Sequence, residues 1–453
     1  MKNCLRSAAM ALVLLFCLNG LVLAADNAPA TSGIERELPP GLIVPDAARP
    51  GPDFDVDKAT DAYLNVLSDA QKDKSDAYFE NGYYLDVLDT LITIIIAAFL
   101  LFSGASRWMR DKAKGISNMP WLYTAIYAGM FVLAMFLLTL PWNIYMGFFR
   151  EHAYGLATQN FTAWFGETLM GLGLSLVFAA IVLAIIYAAV RKVGKSWWAW
   201  TGGISFLVII FVSMISPVFI SPMFNDYKPL PPGELRESLL SMARASQIPA
   251  DDIYVFDASK QTTRISANVS GMMGTTRISL NDNLLKRTSP EEIRAVMGHE
   301  MGHYVLNHSL RLVIYFSLLL TFGFLFVHVT FDALVKRYGE RWGVSDRGDP
   351  AGLPLAMALL VFFMTLMTPV SNSIGRQAEA EADAYGLAVA GEPNGFATAA
   401  MRLSTYRKIH PGDIEEIIFY DHPSGYARVH RSMTWLKENQ QDSRVIKAMQ
   451  NNK

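Results

Sequence analysis

The sequence predicts a mainly α-helical protein: a polytopic bundle of membrane helices with a second, membrane-edge domain that carries a few short strands. Three observations carry that expectation. Of 453 residues, 52% are hydrophobic and only 18% are charged, and the apolar residues gather in blocks. Six of those blocks, 85–105, 121–140, 169–190, 200–220, 311–331 and 351–370, approach the ~20 residues that cross hydrocarbon. Between the fourth and fifth block stands His299-Glu300-Met301-Gly302-His303, behind a helix-start signal. The formal net charge of −2 supplies no electrostatic reason to expect a nucleic-acid partner.

Residues 1–25 begin with Lys2 and Arg6, run apolar over 8–23, and end in Ala24-Ala25 before Asp26. That is the make-up of a secretory signal cleaved near Ala24 or Ala25, with an uncleaved signal anchor as the alternative. Phe16 before Cys17 is too bulky for a lipoprotein cleavage site, so no lipid anchor is expected. The two cysteines, Cys4 and Cys17, both fall in this segment. A processed chain would hold no disulfide, and its metal ligands would be histidine and carboxylate.

Residues 26–83 are polar and read as an extramembrane linker. Its first half, 27–52, is rich in Pro, Ala and Gly, and 56–79 has apolar residues at the spacing of a short helix. Residues 84–226 read as a four-span membrane domain, 227–440 as a second domain with two further spans, and 441–453 as a tail. A buried core helix is the alternative for any single block. Trp108, Trp121, Trp142, Trp197, Trp198 and Trp200 sit at block ends, as interfacial aromatics do.

Charge orients these spans. Loop 106–120 carries Arg107, Arg110, Lys112 and Lys114; loop 191–199 carries Arg191, Lys192 and Lys195; loop 332–350 carries Lys336, Arg337, Arg341 and Arg347. Loop 141–168 carries only Arg150. The positive-inside rule makes the first three cytoplasmic and places 221–310 and 371–453 on the extracytoplasmic side, in a bacterial inner membrane. Within 229–290, a helix is expected over 232–245 from Glu234 onward. Short strands are expected over 252–258 and 278–280, with Gly271 and Gly274 in a turn between.

Ahead of the histidine motif, Ser289 can cap a helix, Pro290 suits its first position, and Glu292 can complete a capping box. Ile293, Val296, Met297, Tyr304 and Leu306 then give an apolar face. Residues four apart share a side, so His299 and His303 project together and can hold one Zn²⁺. Glu300 lies about 100° round the helix, beside a metal but free to take a proton from water. A surface helix with two unrelated histidines is the plain alternative. A third ligand is available in RQAEAEADAY (376–385), a strongly helical segment. Glu379 and Asp383 share a face and suit one ligand plus one acceptor that orients a ligand histidine. Glu381, about 200° from Glu379, points elsewhere. A solvated acidic helix is the alternative there. His308 falls off the metal face and reads as a surface or interfacial residue, and His328, inside a span, as a partner in an interhelical hydrogen bond.

HEMGH (299–303), followed after two hydrophobic spans by RQAEAEADA (376–384), resembles the Ste24-type CAAX prenyl proteases of the M48 metallopeptidase family. SPVFISPMFN (216–225) and PLPPGELR (229–236) look like that family's junction between its membrane and catalytic regions. SAN (266–268) with TRISL (276–280) looks like its substrate-binding stretch, and DHPSGYAR (421–428) like its late H-P motif. The resemblance implies a zincin-type metallopeptidase domain in a polytopic membrane helical bundle. In it, His299, His303 and Glu379 would hold one Zn²⁺ per chain, with water in the open position and no further cofactor. Glu300 would be the general base and Asp383 would fix a ligand histidine. His422 would donate to the oxyanion, Asn268 would bond an extended substrate backbone, and Arg428 would bind an inner carboxylate or the substrate.

The implied partners are a peptide or protein substrate and the lipid bilayer. The family opens its site to the cytosol and has a seventh span near its amino terminus, which 8–24 would replace. The charge count puts the site outside, and the two expectations oppose each other. Prenylated CAAX peptides require a cytosolic site, whereas turnover of misfolded or membrane-associated proteins suits an outward one. A site-2-type intramembrane protease would embed HExxH in a hydrophobic span, which polar 289–294 argues against. A catalytically silent membrane scaffold or substrate-binding protein is opposed by the intact Glu300 and ligand set.

Overall fold

The structure is a computed structural model that describes residues 38–271, 276–442 and 444. The signal segment 1–25, Gly274 and the tail beyond 444 lie outside the described residues. In chain order come helices α1 (Val56–Leu64), α2 (Asp69–Phe102), α3 (Ala105–Ile116), α4 (Pro120–Ile144), α5 (Phe161–Val193) and α6 (Trp197–Ile215). Strand β1 (Tyr227–Pro229), helix α7 (Glu234–Ala245) and strands β2 (Ile253–Phe256), β3 (Ala267–Ser270) and β4 (Arg277–Asn281) follow. Next are α8 (Asp282–Arg287), α9 (Pro290–Val305) and α10 (His308–Trp342). The last helices are α11 (Leu353–Leu366), α12 (Thr368–Ala390), α13 (Pro393–Leu403), α14 (Asp413–Phe419) and α15 (Gly425–Glu438). The chain divides into two compact units, one built on 85–210 and 313–367, the other on 30–84, 211–312 and 368–453.

Four helical runs are long and apolar enough to cross a bilayer: Asp69–Phe102, Pro120–Ala153, Phe161–Phe224 and His308–Trp342. The pair Pro350–Leu366 and Thr368–Ala390, bent by 55°, makes a fifth if it is one broken span. The third run has 64 residues. At 1.5 Å per residue that is about 96 Å, some three times the ~30 Å of hydrocarbon. It breaks at Gly194, whose φ of 62° ends α5 before a three-residue 3₁₀ turn leads into α6. The run therefore supplies both spans that hydropathy separates at 169–190 and 200–220. Its most apolar window has no buried residue. Val177, Ile181 and Ile185 form an exposed stripe on α5, an arrangement stable against lipid rather than water.

Polar groups of the first unit pair with each other, as a low-dielectric setting demands. Ser106 Oγ lies 2.7 Å from Tyr127 Oη and donates to the Ala351 carbonyl at 2.8 Å. Arg110 Nη1 donates to Asp349 at 2.5 Å and to the Gly343 carbonyl at 2.7 Å. His328 Nδ1 accepts from Trp197 Nε1 on α6 at 3.0 Å and from Arg347 at 2.8 Å, the interhelical role its position predicts.

In the second unit the strands order β1-β2-β4-β3, with β2 and β4 parallel and the outer pairs antiparallel. The strands expected at 252–258 and 278–280 are β2 and β4. β1 and β3 are the edges, and β3 ends just before the undescribed 272–275. Ile253, Ile278 and Leu280 pack in one core with Ile293, Met297 and Met301 of α9. A second core joins Tyr63 of α1, Met401 of α13 and Met433 of α15, and it takes in Leu38, Ala48 and Phe54 from the stretch read as linker. Arg402 holds that stretch by donating to the carbonyls of Leu38, Pro39 and Gly41 at 3.0, 3.0 and 2.8 Å. Its Nε donates to Glu292 Oε1 on α9 at 2.5 Å.

Helices α9 and α12 meet along a seam of small residues. A Cβ added to Gly386 would sit 2.7 Å from the His299 backbone nitrogen, and one added to Gly298 would sit 3.0 Å from the Gly386 carbonyl. One added to Gly302 would sit 3.1 Å from the Ala382 Cα. Gly386→Ala must push two backbones apart, and overpacking of this kind costs about 1–3 kcal/mol. By contrast, Gly129 on α4 faces open space, so Gly129→Ala should be neutral or raise stability by up to ~1 kcal/mol through helix propensity. Thermal unfolding of the purified full-length variants should show a lower midpoint for Gly386→Ala only; equal midpoints would mean that the seam has slack.

Candidate active site

The site is assembled from helices that start and stop on local signals. Ser289 caps α9 by accepting from the Glu292 amide at 3.2 Å, and Glu292 Oε2 accepts from the Ser289 amide at 2.9 Å, a complete capping box. Seven residues past that box the helix presents His299, and a turn later His303. Their Nε2 atoms lie 3.1 Å apart. From α12, Glu379 brings Oε2 to 3.3 Å from His299 Nε2 and Oε1 to 3.3 Å from His303 Nε2. The glycine seam permits this approach, because each ligand histidine follows a glycine and points off the neighbouring face.

These separations test whether a metal fits. Tetrahedral ligands on bonds of about 2.0–2.1 Å lie about 3.3 Å from one another. The two Nε2 atoms lie 3.1 Å apart and each is 3.3 Å from a different oxygen of Glu379, and with one ligand atom taken from each residue all three lie within 4.8 Å of one another, so one small cation can reach all three. The donor set of two imidazoles and a carboxylate suits Zn²⁺.

Around these three, charge is closely balanced. Asp383, fully buried, puts Oδ1 2.8 Å from His299 Nδ1. The ring N–H points off that oxygen, so the contact is a close charge pairing more than an aligned hydrogen bond. Burial alone would lower the His299 pKa, but Asp383 and Glu379 outweigh it and hold the group at about 9. Carboxylates that favour a proton on the ring favour a bound cation in its place. Arg428 of α15 donates to Glu379 at 3.0 Å and lies 3.1 Å from Asp383. Arg431, one turn on, donates to the other Asp383 oxygen at 2.9 Å. Glu300 is half-buried on the cleft wall, and burial pushes its carboxyl up from the ordinary glutamate range.

A cleft of about 270 Å³ opens on the three ligand residues. Ser266 and Ala267 line one part of it, Phe396, Leu403 and Tyr406 another, and His422 and Arg428 reach it as well. His422 places Nε2 3.4 Å from Glu379 Oε2, and its Nδ1 lies 2.7 Å from Asp421 Oδ1. Asn268 sits on edge strand β3 opposite Ser279, just past the lining residues, and does not itself line the cleft.

The structure thus brings His299, Glu300, His303, Glu379, Asp383, His422 and Arg428 to one place, with Asn268 beside it. It corrects one sequence expectation. His308 is 1% exposed rather than on the surface, and its Nδ1 lies 2.9 Å from His303 Nδ1. The expectation extended α9 past His303, but α9 ends at Val305 and Asn307 turns left-handed with φ 53°. Arg431, Asp421 and the seam glycines went unread. Gly298 and Gly302, four apart like the histidines they precede, were the available signal for close helix packing.

Residues 229–435 match the model of peptidase family M48, and residues 57–226 match the model described as CAAX prenyl protease N-terminal, five membrane helices. An uncharacterized metalloprotease of Bacillus subtilis, YhfN, is 27% identical over 332 residues, 73% of this chain and 78% of its own. A CAAX prenyl protease 1 homolog of Oryza sativa is 26% identical over 71% of this chain and 77% of its own. The CAAX prenyl protease 1 of Saccharomyces cerevisiae is 30% identical over 55% and 58%. The crystal structure of S. mikatae Ste24p superposes with a TM-score of 0.68 at 23% identity, covering 81% of this chain and 89% of that one, a shared fold. With both models matched in order from residue 57 to 435, the chain belongs to peptidase family M48 as a multi-pass membrane metalloprotease of the Ste24 type.

Proposed function

We propose that the protein is a zinc endopeptidase in which His299, His303 and Glu379 hold the ion and Glu300 is the general base. The observation that carries this reading is the convergence of His299, His303 and Glu379, whose ligand atoms, one from each, all lie within 4.8 Å of one another, in a cleft that Glu300 also lines. When bound, zinc supplies a Lewis acid that polarises a carbonyl and makes water acidic near neutral pH. Glu300 takes the proton of the attacking water and passes it to the leaving amine. His422, whose Nδ1 lies 2.7 Å from Asp421 Oδ1, turns Nε2 toward the site, where it would donate to the oxyanion of the tetrahedral intermediate. Asp383 and Arg428 hold His299 and Glu379 in position, so Arg428 binds inner carboxylates. Edge strand β3 offers an extended peptide a strand partner, and Asn268 is placed there to bond its backbone.

The substrate class is peptides or proteins. Relatives named CAAX prenyl proteases would make it prenylated carboxyl-terminal peptides, cleaved at a cytosolic site. The loop charges favour an extracytoplasmic site in a bacterial inner membrane and hence turnover of misfolded or membrane-associated proteins. We propose the outward site, on the charge asymmetry between loops 106–120, 191–199 and 332–350 and loop 141–168.

Three outcomes follow. Glu300→Gln should lower kcat for peptide cleavage by about 10²–10⁴-fold while zinc content stays near one per chain; unchanged cleavage would remove Glu300 from the mechanism. His422→Phe should lower kcat by about 10²–10³-fold with little change in KM, in a steady-state assay of the same peptide. Alkaline phosphatase fused after residue 225 or 453 should be active, and after 115 inactive; the reverse pattern would place the site in the cytosol.

A further inference from the structure

His303 faces a zinc position through Nε2, so its Nδ1 must carry the proton. For His299 the carboxylate beside Nδ1 is Asp383, at 2.8 Å. Among the described residues no carboxylate pairs with Nδ1 of His303; instead the ring of His308 stands there, Nδ1 to Nδ1, at 2.9 Å. His308 is buried, and its Nε2 lies 3.1 Å from Glu381 Oε2. That oxygen also accepts from Arg311 at 2.7 Å, and Gln377 donates to the other at 3.1 Å, so the carboxylate is fixed from two sides.

Two facing Nδ1 atoms share one proton, and two arrangements are open to a pair of neutral rings. In the first, His308 donates to His303. His303 then carries its proton on Nε2, where the ligand atom must be, and His308 turns a bare lone pair on the Glu381 carboxylate. In the second, His303 donates to His308, and His308 donates from Nε2 to Glu381. Only the second satisfies every contact and leaves His303 Nε2 free beside His299 Nε2 and Glu379.

We propose that Glu381, acting through His308, selects the zinc-binding tautomer and orientation of His303. Both are positioning residues: neither touches the ion or the substrate. The inference rests on the metal-centre reading above. The turn at Asn307 is what folds His308 back beneath His303, and Glu381 comes from the same helix as Glu379, one ligand face away.

The test uses purified full-length protein in detergent, titrated with Zn²⁺ against a chelating indicator and with Co²⁺ followed by its visible absorption. His308→Leu should weaken zinc binding about 10–100-fold and change the Co²⁺ spectrum. Asn carries its amide oxygen near the place of a histidine Nδ1, so His308→Asn should restore most of the affinity. Glu381→Leu, at a position a third exposed and tolerant of change, should weaken binding in the same direction, and Glu381→Gln, still an acceptor, should do so less. KM for a peptide should move little in any of them. Wild-type affinity and spectrum in folded His308→Leu and Glu381→Leu would overturn the relay alone. If the wild-type chain binds no zinc, the metal centre itself falls and the relay with it.

Discussion

The site depends on how closely two helix backbones can approach. Gly298 and Gly302 of α9 lie against Gly386 and Ala382 of α12, with no room for a further methyl group at Gly386. The proposed ligands stand beside these small residues: His299 and His303 follow the glycines of α9, and Glu379 precedes Ala382 on α12. One step along a helix is about 100° of rotation. The packing face and the ligand face are therefore adjacent strips of the same two helices, and closing the first brings the second together at 3.1 to 3.3 Å. A larger residue in the seam would open a triangle whose size is fixed by metal–ligand bond lengths.

Buried charge in the same unit is paired in a way that serves position. Glu292 completes the cap of α9, is fully buried, and is met by Arg402 at 2.5 Å. Leaving such a carboxylate unpaired costs about 3–5 kcal/mol, so the start of the helix is tied to α13 and, through the carbonyls Arg402 also grips, to residues 38–41. Arg428 and Arg431 do the same for Asp383. The guanidinia of Arg402 and Arg428 each reach two or more acceptors, the planar geometry that a lysine would not reproduce.

The sequence exposed what depends on local pattern and hid what depends on chain reversal. The capping box, the four-residue spacing of His299 and His303, and the shared face of Glu379 and Asp383 are periodicities within one helix, and helices formed there. Five of the six expected spans fall in helical runs long and apolar enough to cross, because hydropathy needs no partner; the sixth, 351–370, is broken by a 55° bend between Leu366 and Thr368. β1 and β3 were not, since three- and four-residue edge strands carry almost no alternation. The place of His308 was hidden for a different reason. One left-handed residue, Asn307, turns the helical count off after Val305, so a position five beyond His303 returns to it. Likewise the Pro- and Gly-rich stretch after residue 38 has the composition of a free linker, but partners 360 residues away satisfy its carbonyls, with Arg402 and Leu38 separated by 364 positions.

The charges around the cleft bear on what the proposed metal centre would favour. Glu379, Asp383 and Glu300 are three carboxylates; Arg428 and Arg431 are two permanent cations, ion-paired to the first two. Counted alone, these five side chains are negative by one charge, which favours a divalent cation over an anion. A cation of charge two would leave these five groups positive by one; in the proposed mechanism the proton that Glu300 takes offsets the oxyanion's charge, so the total would not change while negative charge moves from Glu300 to an oxygen facing the cation. A neutral substrate carbonyl gains none of this. The preference is thus for the developing charge over the ground state, which is the condition for faster chemistry rather than tighter binding. Arg428 is central to that count: it keeps Glu379 and Asp383 from acting as two unshielded negative charges beside the bond being broken.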